Sequence, residues 1–190
     1  MRLKRLSGLI FFWSLPIWIQ WICFVIATGI VFWFNLVVFP SYALDAQNQV
    51  FTILDVRLFY TAVDVQNLFS ALGQAGRQAY SSQLLADMVY PFAYSLLLHC
   101  LYVRFCLPEQ AGGMNLLLAF TPYGALFADL AENLLILLML AHYPFISPST
   151  ALLASVASSL KWFLIAIAVG LLLWCSLRKL KKFLLPAGAK

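Results

Sequence analysis

Residues 151–174 read ALLASVASSLKWFLIAIAVGLLLW, an apolar run with one charge, Lys161, near its middle. A bilayer core of about 30 Å is crossed by about 20 apolar residues in a helix, and this run is long enough. A charged side chain at mid-bilayer costs about 2.5–3.5 kcal/mol even on lenient insertion scales. Asp129 and Glu132 interrupt the preceding hydrophobic run in the same way. Ionisable groups in two adjacent spans predict pairing inside a helical bundle, away from lipid. Working outward from Lys161, the sequence predicts an all-α fold: a polytopic membrane four-helix bundle.

Composition supports the class. Of 190 residues, 64% are hydrophobic and 10% charged, and mean hydropathy is +0.91. Soluble domains run about 45–50% apolar and about 25% charged, so too few charges are present for a conventional water-facing surface. The formal charge of +5 is not a nucleic-acid signal, because basic residues gather at the chain ends. Arg2, Lys4 and Arg5 precede the first span, and Arg178, Lys179, Lys181 and Lys182 follow the last. This positive-inside pattern predicts a cytoplasmic (inner) membrane protein with both termini cytoplasmic, and an attraction to anionic membrane lipid.

Four apolar segments are long enough to span: about 16–39, 83–106, 115–141 and 150–176. Residues before Pro16 predict a short interfacial helix bent into the first span at the proline. Leu6 to Phe39 is too long for a signal peptide and has no convincing cleavage site, so it reads as a retained span. Residues 40–82 form an outer loop carrying Asp45, Asp55 and Asp64 against Arg57 and Arg77. Within it, Thr61 and Asp64 have capping-box spacing, an apolar side follows through Leu72, and Gly73 is a plausible helix stop. An amphipathic helix is expected there, on the outer membrane surface or on top of the bundle. The whole chain, 1–190, reads as a single transmembrane domain. The four cysteines, Cys23, Cys100, Cys106 and Cys175, lie in or at the edges of spans, and no CxxC motif occurs. Their placement argues against a disulfide framework.

The polar residues of the spans form one constellation. About the turn near Phe145, Asp129 and Lys161 are equidistant in sequence, which puts them at one depth, with Glu132 about one turn higher. Asp129, Glu132 and Asn133 share a face with Pro122, Ala125 and Ile136. Lys161 shares its face with Ala154, Ala157, Ser158 and Ala168, small residues that let helices approach closely. An ion pair of Lys161 with Asp129 or Glu132 follows. In span two, Tyr80, Gln83, Asp87, Tyr90 and Tyr94 recur at helical spacing as a polar-aromatic stripe, and Pro91 should kink the helix. Span one adds Gln20, Thr28 and Asn35 on one face. The candidate ligand-binding set is therefore Asp87, Tyr90, Tyr94, Asp129, Glu132, Asn133 and Lys161, with Arg57 and Arg77. The intramembrane acids outnumber Lys161, so either one carboxyl holds a proton at neutral pH or Arg57 or Arg77 reaches in. A bland reading stands beside this one: buried polar residues fix helix register with no ligand at all. His99 and His142 are each solitary, and the sequence offers no metal site, no cofactor motif and no nucleophile–base motif.

Asp129-Leu-Ala-Glu132-Asn133 and Leu160-Lys161-Trp162, preceded by Asp87-Met-Val-Tyr90-Pro91, resemble an uncharacterised group of small bacterial four-helix membrane proteins. That resemblance covers most of the chain and implies no activity. The layout is also similar to the emopamil-binding (EXPERA) group: four spans, a long structured first outer loop, and an acidic residue ahead of an aromatic-proline segment in span two. This second resemblance implies an intramembrane pocket with acidic residues that takes sterols and cationic amphiphiles. The chain departs from that group in its Asp129/Glu132/Lys161 arrangement and lacks its His/Glu isomerase pattern, so sterol isomerase activity is not implied.

Three functions remain open on the sequence. One is an integral membrane protein whose Asp/Glu/Lys site binds or transports a small amphipathic or lipid-like ligand. Another is a structural or assembly subunit of a homo- or hetero-oligomer. The third is an intramembrane acid–base enzyme acting on a lipid. A ligand site predicts unfilled volume beside Asp87 and Glu132, whereas a structural cluster predicts tight packing.

Overall fold

The computed structural model describes residues 16–39, 53–106 and 120–184. The expected interfacial helix before Pro16 and the first residues of the third span lie outside these. All regular structure among the described residues is helical. Helix α1 runs Ile17–Trp33 and continues into a wider π turn, Phe34–Val38. A short 3-10 turn, Leu54–Val56, follows. Then come α2 (Ala62–Asp87), α3 (Tyr90–Phe105), α4 (Thr121–Ala141) and α5 (Pro148–Leu184).

Four stretches of helix are long and apolar enough to cross a membrane: Ile17–Val38, Ala62–Tyr102, Thr121–Ala141 and Pro148–Lys181. Their apolar side chains are largely uncovered. Trp18, Trp21, Phe32 and Trp33 of α1 are half or more exposed, and only Ala27 of α1 is buried. At about 1.5 Å per residue, the 37 residues of α5 extend about 55 Å, so the helix runs past Ser176 into its basic end. There the Arg178 guanidinium lies 4.9 Å from the Trp174 ring.

The second span differs from the single kinked helix expected over 83–106. It is the end of α2 joined to α3 across a break at Met88–Val89. Pro91 lies in the first turn of α3, where its missing N–H and fixed φ are tolerated, so the chain breaks just before it. The capping box at the start of α2 is present: Thr61 Oγ1 accepts from the Asp64 N–H, and Asp64 Oδ2 accepts from the Thr61 N–H at 2.7 Å. Gly73, at φ 62°, interrupts α2 without ending it. That left-handed conformation suits glycine.

Helices α4 and α5 form an antiparallel hairpin packed along its length, with Ala125, Ala151 and Ala154 fully buried in it. Gly124 allows the closest approach: a Cβ there would sit 3.0 Å from Leu164 Cδ1. The first half of α2 closes one end of this hairpin, the cap end, through Val65, Leu68 and Phe69 against Ile136 and Met139. Helix α1 packs chiefly on α3.

At the opposite, basic end the structure corrects the cysteine reading. Cys106 and Cys175 are joined in a disulfide, with Cα atoms 5.4 Å apart, while Cys23 and Cys100 remain thiols. The partners are 69 residues apart in sequence. Only the packing of α3 against α5 brings them together, which spacing along the chain cannot reveal.

Candidate functional site

Lys161 sits at the centre of the α4–α5 seam, 4% exposed. Its ammonium has three donors, and three protein oxygens surround it. Nζ lies 3.2 Å from Asp129 Oδ1, 2.6 Å from Glu132 Oε2 and 3.1 Å from the Asp55 carbonyl oxygen. Asp129 is completed by the Tyr94 hydroxyl, which donates to Oδ2 at 3.1 Å. The sequence left a choice between Asp129 and Glu132, and the lysine takes both, because residues three apart on α4 present their carboxylates on one face.

Asp55 belongs to this site and sequence reasoning missed it, counting it only as a loop charge. Residues 53–61 form a strap bound to α5 through its main chain. Besides Lys161, the Trp162 indole N–H donates to the Asp55 carbonyl at 3.1 Å. Ser158 donates to the Arg57 carbonyl at 2.7 Å, Ser159 donates to the Leu58 carbonyl, and Ser155 Oγ accepts from the Tyr60 N–H at 3.0 Å. Tyr80 holds the strap from α2: its hydroxyl donates to Asp55 Oδ2 at 2.9 Å and accepts from the Leu54 N–H at 3.1 Å. Burial pushes the Asp55 carboxyl above the usual carboxylate range, against the opposing pull of the Lys161 charge and the Tyr80 hydrogen bond. Two signals for Asp55 were in the sequence. It stands alone among apolar neighbours in Ile53-Leu-Asp-Val56, and α5 presents three serines and a tryptophan that need partners.

Beside this seam lies a partly open cavity of about 620 Å³, bounded by α1, the strap, the end of α2, α3, Asp129 of α4 and α5. Asp55, Asp87, Asp129 and Lys161 meet it at the polar end, with Tyr90, Tyr94 and Trp162 as aromatic walls. Tyr90 receives a hydrogen bond from Asn35 Nδ2 at 3.0 Å, supplied by the π turn of α1. Asp87 Oδ2 accepts from Asn133 Nδ2 at 3.0 Å. Oδ1 of Asp87, Oδ1 of Asp55 and Oδ1 of Asn133 are buried with no protein partner. The unfilled volume expected beside Asp87 is therefore present, whereas Glu132 and Asn133 lie outside its lining, each fully buried.

Neither candidate arginine enters the cavity. Arg77 donates to the Phe69 carbonyl at 2.7 Å and lies 4.1 Å from the Tyr143 ring centroid. Arg57 contributes its carbonyl to Ser158, and its charge acts on Asp64. Neither guanidinium lines the cavity, so the charge compensation sought there from Arg57 and Arg77 is not supplied at its wall. With Asp55 included, four carboxyls face one lysine. Among the described residues no three His, Cys, Asp or Glu side chains converge to hold a metal ion. His99 packs at 5.3 Å against the Tyr123 ring, and His142 Nδ1 bonds the Leu138 carbonyl at 2.8 Å.

No family model, no curated protein and no solved structure matches the chain.

Proposed function

We propose that this chain is an integral membrane protein that binds or transports a small amphipathic or lipid-like ligand in the cavity beside Lys161. One observation carries the reading: a single cavity joins buried, unpartnered carboxylate oxygens of Asp55 and Asp87 to an aliphatic wall of Leu97, Leu98, Ile165 and Val169. Buried polar atoms without partners are rare in folded proteins, because each costs about 1–3 kcal/mol. A ligand that donates hydrogen bonds at one end and is apolar at the other satisfies both walls. Native mass spectrometry of the full chain, released from detergent, tests this. A retained small amphiphile is expected. Bare protein alone, from gently extracted membranes, would remove the reading.

A structural or assembly role draws on a different observation, the three protein oxygens around Lys161. It accounts for the α4–α5 seam and leaves the cavity unexplained.

In the proposed topology the terminal basic clusters are cytoplasmic and the cap end faces outward, in a cytoplasmic membrane. The Cys106–Cys175 bond pulls the other way, since it lies at the basic end and disulfides are rare in the cytosol. The charge bias takes precedence, because it sets orientation directly. A cysteine introduced at Gln74 should react with an impermeant thiol reagent added outside intact cells. Labelling only after permeabilisation would reverse the topology.

A further inference from the structure

We infer that the ligand of this cavity comes from the bilayer, passing sideways between α1 and α5, and that its head is a hydrogen-bond donor on an aliphatic tail. The inference rests on the proposed binding function and adds the route and the class of molecule.

The cavity has two conceivable ways in, and they differ in what must break. At the cap end it is closed by the strap. Passage there requires release of the Asp55 carbonyl from both Lys161 and Trp162, and of the neighbouring carbonyls from Ser158 and Ser159. On its side, α1 packs on α3 and α5 packs on α4, with no extended seam between α1 and α5. Val31 and Phe39 of α1 instead face Ile165 and Val169 of α5 across the cavity itself. A lateral passage therefore breaks no hydrogen bond described here. The four side chains that meet across the gap, Val31, Phe39, Ile165 and Val169, are all apolar and suit acyl chains.

The same geometry orients the occupant. From the level of Lys161, Ile165 and Val169 lie about 6 and 12 Å further along α5 toward the basic end. A tail along that wall places the head at Asp87 and Asp55, whose Oδ1 atoms lack partners and whose residues are 7% and 9% exposed. Those atoms accept hydrogen bonds. Lys161 is already ringed by Asp129, Glu132 and the Asp55 carbonyl, and the cavity wall is otherwise acidic, so phosphate- and carboxylate-headed lipids are disfavoured. Hydroxyl and ammonium heads share the required chemistry.

Three photoactivatable long-chain probes, a primary alcohol, a primary amine and a carboxylate, separate the possibilities in nanodiscs containing the full-length protein. Wild type should be labelled on α1 and α5 by the alcohol, the amine or both, and not by the carboxylate. Val169→Trp fills the lateral gap together with the tail wall and should abolish labelling. The route itself is therefore read from the labelling rate of the strap variant. Leu134→Trp, on an exposed face of α4, should leave labelling unchanged. Trp162→Phe loosens the strap and should not accelerate labelling. Thermal melting of each variant confirms that it is folded. If Val169→Trp is labelled like wild type, or Trp162→Phe is labelled faster, the lateral route is wrong while ligand binding stands. Labelling by the carboxylate alone overturns the head assignment. If no probe labels wild type, binding itself fails.

Discussion

The two sides of α5 solve opposite problems with similar residues. Toward α4, polar side chains gather on one another: three protein oxygens surround the Lys161 ammonium and both oxygens of Asp129 are engaged, while Glu132 Oε1 lies outside these contacts. Alanines and Gly124 bring the helix backbones together there. Toward α1, the wall is aromatic and aliphatic, the neighbouring helix stands off, and buried carboxylate oxygens remain unpartnered. Asp129 and Asp87 look equivalent in the sequence and both reach the cavity, yet both oxygens of the first are held and one oxygen of the second has no partner. An intramembrane charge marks where a bundle is polar; only its partners tell whether that polarity holds helices together or waits for something else.

The sharpest way to break the comparison is at Lys161. Lys161→Met strands the carboxylates of Asp129 and Glu132, and loss of one partner from a buried pair costs about 3–5 kcal/mol. Detergent-solubilised protein should melt far below wild type. Adding Asp129→Asn or Glu132→Gln should recover part of the loss, and adding both should recover more, because the lysine bridges the two. A triple variant no more stable than Lys161→Met would show that these side chains do not form one unit.

The strap is the intermediate case, closed by hydrogen bonds but lining the cavity. Tyr80→Phe leaves Asp55 Oδ2 and the Leu54 N–H without their shared partner, a loss of about 1–3 kcal/mol for each group stranded. Amide exchange across residues 53–61 should speed up accordingly. Those amides should also respond to pH through Asp55, which faces Lys161, Tyr80 and Asp129. Its native pKa is raised by burial, so the folded state holds this proton more tightly than the unfolded state. The associated stability is full in acid and falls as pH climbs from the ordinary carboxylate pKa through the raised one. Protection should decline across that window and level off above it, and Asp55→Asn should flatten the response. Protection that increases with pH would mean that the ionised carboxylate is the form held in place.

How far the sequence led follows the same division. Lys161, Asp129 and Glu132 were legible because four helix-length apolar runs and one short turn fix relative depth, and helical periodicity fixes the face. The capping box at Thr61 was legible because it is local chemistry, whereas Pro91 pointed to a kink and the chain breaks just before it. Asp55 was not, since its burial depends on a nonperiodic strap crossing α5 about a hundred residues later in the chain. The arginines were not legible either: Arg57 sits on that strap, and Arg77 is held on α2 by the Phe69 carbonyl and the Tyr143 ring. Cys106 and Cys175 meet through helix packing alone. Periodicity reports faces; it does not report which faces meet, or whether they close.

The smallest expected effect on stability is at Asp87, and it probes function most directly. Asp87 ends α2, lines the cavity, and gives one oxygen to Asn133 while the other has no partner. In Asp87→Asn the amide keeps an acceptor for Asn133 Nδ2 and loses the charge on the cavity wall. Asn133 of α4 keeps its acceptor and Lys161 makes no bond to Asp87, so melting should shift by less than about 1 kcal/mol. Retention of a hydrogen-bond-donating amphiphile should fall, because one of the two carboxylates facing its head is gone. Asp87→Leu completes the test by removing the acceptor as well: it should abolish retention and also cost stability, since Asn133 is then left unsatisfied. If Asp87→Asn instead misfolds as badly as Lys161→Met, Asp87 belongs with the seam, and the difference between the two sides of α5 disappears.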